Sequence, residues 1–190
     1  MKVVAFNGSP RKNGNTSILI KHVLGKIEEA GIETELISIA GQIKRGCTAC
    51  LKCIENQNKR CVFDDDIINE CIEKMIEADG IIIGSPTYFA SMTAETKALI
   101  DRVGYVVKVN GNLLRRKVGV AVTVARRAGS MNVFQGINNF FFINGMIVPG
   151  SNYWNLGIGR DIGDVESDGE GINIMQELGT NMAWLMKKIR

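Results

Sequence analysis

Apolar residues along this chain fall into two alternating rhythms. Val3-Val4-Ala5-Phe6 is an unbroken apolar run stopped by Asn7-Gly8, which predicts a strand buried on both faces. From Thr16 to Ala30, Leu19, Ile20, Val23, Leu24 and Ile27 recur at helical spacing, and Gly31 closes the helix. Glu33 to Ile39 alternates in part, as a half-exposed edge strand does. The stretch 41–63 has no clean period and reads as a loop. Asp64-Asp65-Asp66 is expected to cap a helix running through Ala78, the carboxylates suiting its N-terminal dipole. Ile81-Ile82-Ile83 predicts a second buried strand, and a helix follows from about Thr93 to Val107. Val118 to Val124 predicts a strand and Ser130 to Phe142 a helix. Met146-Ile147-Val148 predicts a last short strand before Pro149-Gly150. A polar, glycine-rich loop covers 151–171, and a final helix spans Ile172 to Ile189.

Five strands alternating with helices predict an α/β fold with a doubly wound parallel sheet. The edge-like second strand and the buried runs elsewhere favour the flavodoxin-like order 2-1-3-4-5, with one domain over 1–190 and an insertion, 41–63, after strand two. In such sheets ligands bind outside the carboxyl ends of the strands, so the loops that matter begin at Gly8, Gly84 and Ala125. Composition narrows the picture. With 45% apolar and 23% charged residues the chain is of globular type, and a net charge of +3 argues for no nucleic-acid partner. The longest apolar stretches, such as Phe140 to Ile143, fall far short of the ~20 residues of a membrane span, and Met1 to Phe6 lack a signal-type core. We therefore expect a cytoplasmic protein without a membrane partner, in which clustered cysteines are metal ligands or redox groups rather than structural bridges.

The first of the three loops, Gly8-Ser9-Pro10-Arg11-Lys12-Asn13-Gly14-Asn15-Thr16-Ser17, is rich in hydroxyls, amides and glycines and opens a helix. Free backbone N–H groups and the helix dipole favour an anion there, with Ser9, Thr16 and Ser17 as further donors and Arg11 as added charge. A Walker A loop does not fit, because the glycines stand one residue too far apart and Asn15 replaces the phosphate-clamping lysine. A G-x-G-x-x-G dinucleotide fingerprint is absent.

Together with Gly84-Ser85-Pro86-Thr87-Tyr88-Phe89 after the third strand, this loop resembles the NADPH-dependent FMN reductase family of flavodoxin-like flavoproteins. The resemblance covers the first 125 residues or so well and the rest loosely. It implies FMN, with the 5′-phosphate cradled by Ser9, Arg11, Asn15, Thr16 and Ser17. The isoalloxazine ring would lie on Pro86, Thr87, Tyr88 and Phe89, and Ala125 to Gly129 would form the third loop. A flavin asks for a flat apolar cradle with a few backbone donors, which these residues are equipped to give.

Four of the five cysteines form Cys47-x2-Cys50-x2-Cys53-x7-Cys61. Three thiolates at this tight spacing can wrap one cluster, and a fourth completes a [4Fe–4S] centre. Zinc, which prefers two separated C-x2–4-C pairs, and a redox disulfide are the competing readings. Cys71 sits among Ile67, Ile68, Met75 and Ile76 and reads as a small buried hydrophobe. A compact cysteine motif after strand two is similar to that of the iron–sulfur flavoproteins. That resemblance implies one FMN and one [4Fe–4S] cluster per subunit of a homodimer or homotetramer.

Other residues carry less. His22 reads as a solvated residue with no partner spaced to join it, and Asp64 to Asp66 as a helix cap rather than a metal site. Lys44, Arg45, Lys52, Lys59 and Arg60 read as solvated loop charge, or as charge that offsets the thiolates or steers an acidic ferredoxin. Arg126 and Arg127 are either a nucleotide-phosphate contact or plain surface. Phe140 to Phe142 and Tyr153-Trp154 suggest an interface. The expected activity is that of an oxidoreductase. Electrons would pass between NAD(P)H or ferredoxin and a small-molecule acceptor, with a non-enzymatic FMN carrier or a cluster-free FMN or quinone reductase as the alternatives. The cofactors carry the chemistry, so no side chain is assigned as catalytic acid or base.

Overall fold

A computed structural model describes residues 1–189. Five strands, β1 (Lys2–Asn7), β2 (Glu33–Ser38), β3 (Gly80–Pro86), β4 (Val118–Ala125) and β5 (Leu156–Ile158), form one parallel sheet in the order β2-β1-β3-β4-β5. The expected order is therefore present, and it follows from apolar runs that are buried on both faces. Alternate residues of each strand feed opposite cores. Val3, Ala5, Ile82, Val120 and Val122 pack with helices α1 (Asn15–Glu29) and α6 (Gly169–Lys188). Val4, Phe6, Ile81, Ile83 and Ala121 pack on the other side. The helices there are α3 (Ile68–Glu77), α4 (Ala94–Val109) and α5 (Ser130–Ile143).

Three sequence expectations need correction. The fifth strand is not Met146–Val148. Ile147 makes only an isolated bridge to Val118, and Pro149, with no N–H to donate, turns the chain away. The true β5 lies inside the stretch expected to be loop, pairing Leu156–Ile158 with Thr123–Ala125. Its middle residue is glycine for a packing reason: a Cβ on Gly157 would come within 2.6 Å of Leu19 Cδ1. The same stretch also holds a short 3-10 helix, Asp164–Ser167.

The second correction concerns the aspartates. Helix α3 begins at Ile68, and Ile67 occupies its N-cap position without a side-chain bond. All three aspartates pair with basic residues, Asp64 with Arg60, Asp65 with Lys44 and Arg45, Asp66 with Arg102, and only Asp66 also meets the helix start, accepting from the Ile68 amide at 3.3 Å. Third, the cysteine segment is not wholly loop, since α2 (Lys52–Asn56) lies within it. His22, half-buried on α1, also meets a partner far away in sequence: its Nε2 lies 3.3 Å from Glu166 Oε2.

Candidate functional site

The carboxyl ends of β1, β3, β4 and β5 open onto one pocket of about 260 Å³, lined by Ser9, Arg11, Asn15, Thr16, Pro86, Thr87, Tyr88, Val124, Arg126, Gly159 and Arg160. Its floor is tied down by backbone. The Gly8 amide donates to the Gly84 carbonyl at 2.9 Å, and Thr93 Oγ1 donates to the Gly8 carbonyl at 2.9 Å. The Thr93 amide in turn donates to Ser85 Oγ at 3.1 Å, so the first loop, β3 and the start of α4 form one locked unit.

Helix α1 starts in this pocket without a side-chain cap and without a carboxylate in its first turn. Its leading N–H groups and positive dipole end are therefore left for an anion. The side chain of Asn15 is already used: Nδ2 donates to the Asp161 carbonyl and Oδ1 accepts from the Gly163 amide, both at 2.8 Å. Arg11 Nη1 donates to the Arg160 carbonyl at 2.6 Å. These two residues hold the Gly159–Gly163 loop over the pocket, and a Cβ on Gly159 would lie 2.7 Å from Asn15 Nδ2.

The second loop carries strain. Tyr88 and Ser91 exchange backbone bonds, amide to carbonyl, at 2.8 and 2.9 Å around Phe89 and Ala90. Both central residues have positive φ, 48° and 58°, which turns usually reserve for Gly or Asn. Such left-handed non-glycine residues cost about 1–3 kcal/mol each and gather at functional sites. Thr87 Oγ1 is buried there with no partner. An orphaned hydroxyl on a pocket wall fits a ligand that brings an acceptor or donor of its own.

The structure thus gathers seven of the nine expected flavin residues in one pocket. Ser17 is buried on α1 outside the lining, and Phe89 projects fully into solvent. Sequence reasoning missed Val124, Gly159 and Arg160. The signal for the latter pair was faint, a glycine and a basic residue in a polar stretch; Arg126 stood undecided and lines the pocket.

A second pocket brings Cys47, Cys50, Cys53 and Cys61 together with Thr48, Leu51, Phe63, Arg102, Tyr105 and Val106. Burial pushes the Cys53 thiol above its ordinary range, and Cys50, Cys47 and Cys61 push it the same way. Ala49 and Leu51, interleaved with the cysteines, have φ of 52° and 59°. Left-handed residues turn the chain sharply, and the cysteines on either side of them line one hollow.

Among the described residues no three His, Cys, Asp or Glu side chains converge closely enough for a single metal ion. A cubane cluster takes one thiolate at each of four irons, and four thiols around one pocket are a donor set that fits it. Cys71 is elsewhere: it is fully buried in the core, and burial lifts its thiol to about 12.

The basic residues near the cysteines are mostly matched on the surface, Lys52 with Glu55 and Arg60 with both Asp64 and Glu73. The cation inside the pocket is one that sequence reasoning passed over. Arg102 is 2% exposed and ion-paired with a fully buried Asp66 side chain. Burial alone would raise the Asp66 carboxyl, but the Arg102 guanidinium and the amides of Lys44 and Ile68 outweigh it and hold it below the usual range. A signal existed: Arg102 lies on the same helical face as Leu99, Val103 and Val106.

Phe140 and Phe141 belong to the core, while Phe142, Tyr153 and Trp154 remain exposed around a separate hollow of about 530 Å³. No helix among the described residues is long and apolar enough to cross a membrane.

Residues 1–161 match the model of the NADPH-dependent FMN reductase family. An iron–sulfur flavoprotein of Methanocaldococcus jannaschii is 42% identical over the whole of both chains. Another, from Methanosarcina thermophila, is 34% identical over all of this chain and 97% of its own. Among solved structures, a WrbA-like flavodoxin from Agrobacterium tumefaciens superposes with a TM-score of 0.67 at 16% identity, covering 100% of this chain and 98% of that one. An archaeal flavodoxin gives 0.63 at 18%, covering 98% and 99%. The structural likenesses speak for the flavodoxin-like fold, the sequence matches for kinship: the chain belongs to the NADPH-dependent FMN reductase family, among its iron–sulfur flavoproteins.

Proposed function

We propose that this chain is a cytoplasmic oxidoreductase, one domain per subunit of a homodimer or homotetramer. FMN occupies the pocket at the strand ends, and Cys47, Cys50, Cys53 and Cys61 hold a [4Fe–4S] cluster. Electrons pass between NAD(P)H or a ferredoxin and a small acceptor.

The observation that carries this reading is the way α4 joins the two pockets. At its N-terminus Thr93 is bonded to Gly8 and Ser85 under the phosphate loop, and Arg102, Tyr105 and Val106 line the cysteine pocket. Nine residues at 1.5 Å per residue put about 14 Å of helix between Thr93 and Arg102. When bound, FMN supplies two-electron redox chemistry and the cluster single-electron transfer.

The protein's own residues bind and orient. The uncapped start of α1 and the hydroxyls of Ser9 and Thr16 suit a phosphate, and Tyr88 and Pro86 offer flat surface to a ring. The Thr87 hydroxyl has a bond to give. Arg126 and Arg160 add positive charge to the rim, where a nicotinamide nucleotide would arrive.

An oxygen-free visible spectrum of the purified protein, taken before and after NADPH, tests the proposal. Flavin bands over a broad iron–sulfur background that bleach with NADPH support it. Bleaching only after reduced ferredoxin is added turns it into a carrier, and flavin bands alone leave a simple reductase. A colourless protein that takes up no FMN would overturn it.

A further inference from the structure

The four cysteines do not share the same surroundings. Among the described residues, only the Cys61 sulfur accepts a side-chain hydrogen bond, from Arg102 Nη2 at 3.4 Å. The same guanidinium reaches back along the whole cysteine segment. Nη1 donates to the Arg45 carbonyl at 3.2 Å and to Asp66 Oδ2, and Nη2 also donates to the Phe63 carbonyl at 3.3 Å. Asp66 is anchored in turn, accepting from the amides of Lys44 at 3.1 Å and Ile68 at 3.3 Å. Nε of Arg102 has no partner although it is buried, so one donor of the fork is spare in a residue that lines the cysteine pocket.

This is more than a surface ion pair needs. Arg45 with Asp65 and Arg60 with Asp64 already tie the segment down from outside, and both are solvent-exposed. A fully desolvated cation directed at one thiolate has a further consequence. Hydrogen bonds to the sulfurs and the net charge around a cluster set its reduction potential, because each favours the more negative, reduced form.

We propose that Arg102, held in place by Asp66, is a positioning residue. It fixes Cys61 and raises the potential of the metal centre on the four cysteines by donating a charged hydrogen bond to one ligand sulfur. The proposal rests on the cluster reading above.

The test is an anaerobic redox titration, followed by electron paramagnetic resonance, with iron and sulfide counted on the same samples. Arg102→Gln alone would strand the Asp66 charge and risks misfolding, so the neutral pair Asp66→Asn/Arg102→Gln is made beside it. The double variant is expected to keep its iron and sulfide and to be harder to reduce. At a fixed poise its reduced-to-oxidised ratio should fall about tenfold, equal to about 59 mV for a one-electron couple. Arg102→Lys, which keeps the charge but on one nitrogen without the fork, should recover part of that loss. A double variant with full iron content and the wild-type potential would overturn the proposal, and so would a Lys variant as low as the Gln pair. Wild-type protein that holds no iron or sulfide after reconstitution would sink the cluster reading itself and this inference with it, a result that cannot be confused with an unchanged potential.

Discussion

The two pockets sit at different points along one helix and are held together by opposite means. The strand-end pocket collects residues from four loops far apart in sequence, and backbone bonds with glycine contacts fix its shape. The Gly8 amide is bonded to Gly84, and a Cβ at Gly8 would stand 1.9 Å from Thr96 Oγ1. The cysteine pocket is one stretch of chain laid against α4, joined to it by the buried Asp66–Arg102 pair at one end and by bonds of Gln57, Lys59 and Cys53 to Val109 and Asn110 at the other. One site is a property of the sheet, and the other has a buried salt bridge at its inner wall. Damage should therefore spread differently. Change in the first is steric and local, whereas change in the second is electrostatic and reaches the whole segment.

The largest effect expected is from Asp66→Ala. Removing one partner of a buried pair leaves an uncompensated charge, which costs about 3–5 kcal/mol. Asp65→Ala, which breaks exposed contacts to Lys44 and Arg45, should cost about 0–1 kcal/mol. Urea denaturation midpoints on the two variants decide the matter, and equal losses would mean the buried pair is not what holds the segment.

Acid gives a second view of the same pair. The folded carboxyls of Asp66 and of Glu35, the latter bonded to Lys2 and Lys74, lie below their ordinary values. The unfolded chain then binds more protons, so their contribution is full above about pH 5 and drains away as pH falls below that. Unfolding free energy measured from pH 6 to pH 3 should fall, and Asp66→Ala should flatten the slope.

Next in size is Gly8→Ala. The added methyl meets the stiff, β-branched Thr96 and lies 3.3 Å from the Gly84 carbonyl, so the loop must shift. Overpacking of this kind costs about 1–3 kcal/mol. Thermal unfolding should show that loss, and FMN titration by fluorescence quenching should show weaker binding. Iron uptake should stay at the wild-type level, since the cysteine pocket shares none of these contacts. A matched loss of iron would show that α4 couples the pockets more tightly than their separate construction implies.

The sheet was readable because both-face burial leaves runs such as Val3–Phe6 and Ile81–Ile83 that nothing else in a short α/β chain explains. That the four cysteines come together was readable because their spacing keeps them within one short segment. What failed was whatever depends on distant partners. Leu156–Ile158 is too short to show a period, and it becomes a strand only because β4 offers an open edge at Thr123–Ala125. Asp64 to Asp66 have the residue type of a helix cap, but ion pairs take Asp64 and Asp65, and Asp66 divides itself between the Ile68 amide and Arg102. Arg102 is hidden in a helix face that otherwise reads as core, and Asn15, expected at the phosphate, spends its side chain on a loop more than a hundred residues away. Local chemistry is written locally; the groups that close a site on itself are visible only once the fold has brought them together.

The smallest effect is the most discriminating. Thr87 Oγ1 is buried without a partner on the wall of the strand-end pocket, and an unmet hydroxyl of this kind costs stability in the free protein. Thr87→Val removes the hydroxyl and keeps the β-branched shape. In the FMN-free protein it should leave the unfolding midpoint unchanged, or raise stability by up to about 1 kcal/mol. FMN binding should weaken about tenfold, the value of about 1.4 kcal/mol for one lost hydrogen bond. Stability and affinity falling together would make Thr87 an ordinary structural residue. A more stable protein with unchanged affinity would mean that the hydroxyl faces the pocket without serving it. Weaker FMN binding without any loss of stability identifies an atom that folding leaves unsatisfied and a ligand satisfies.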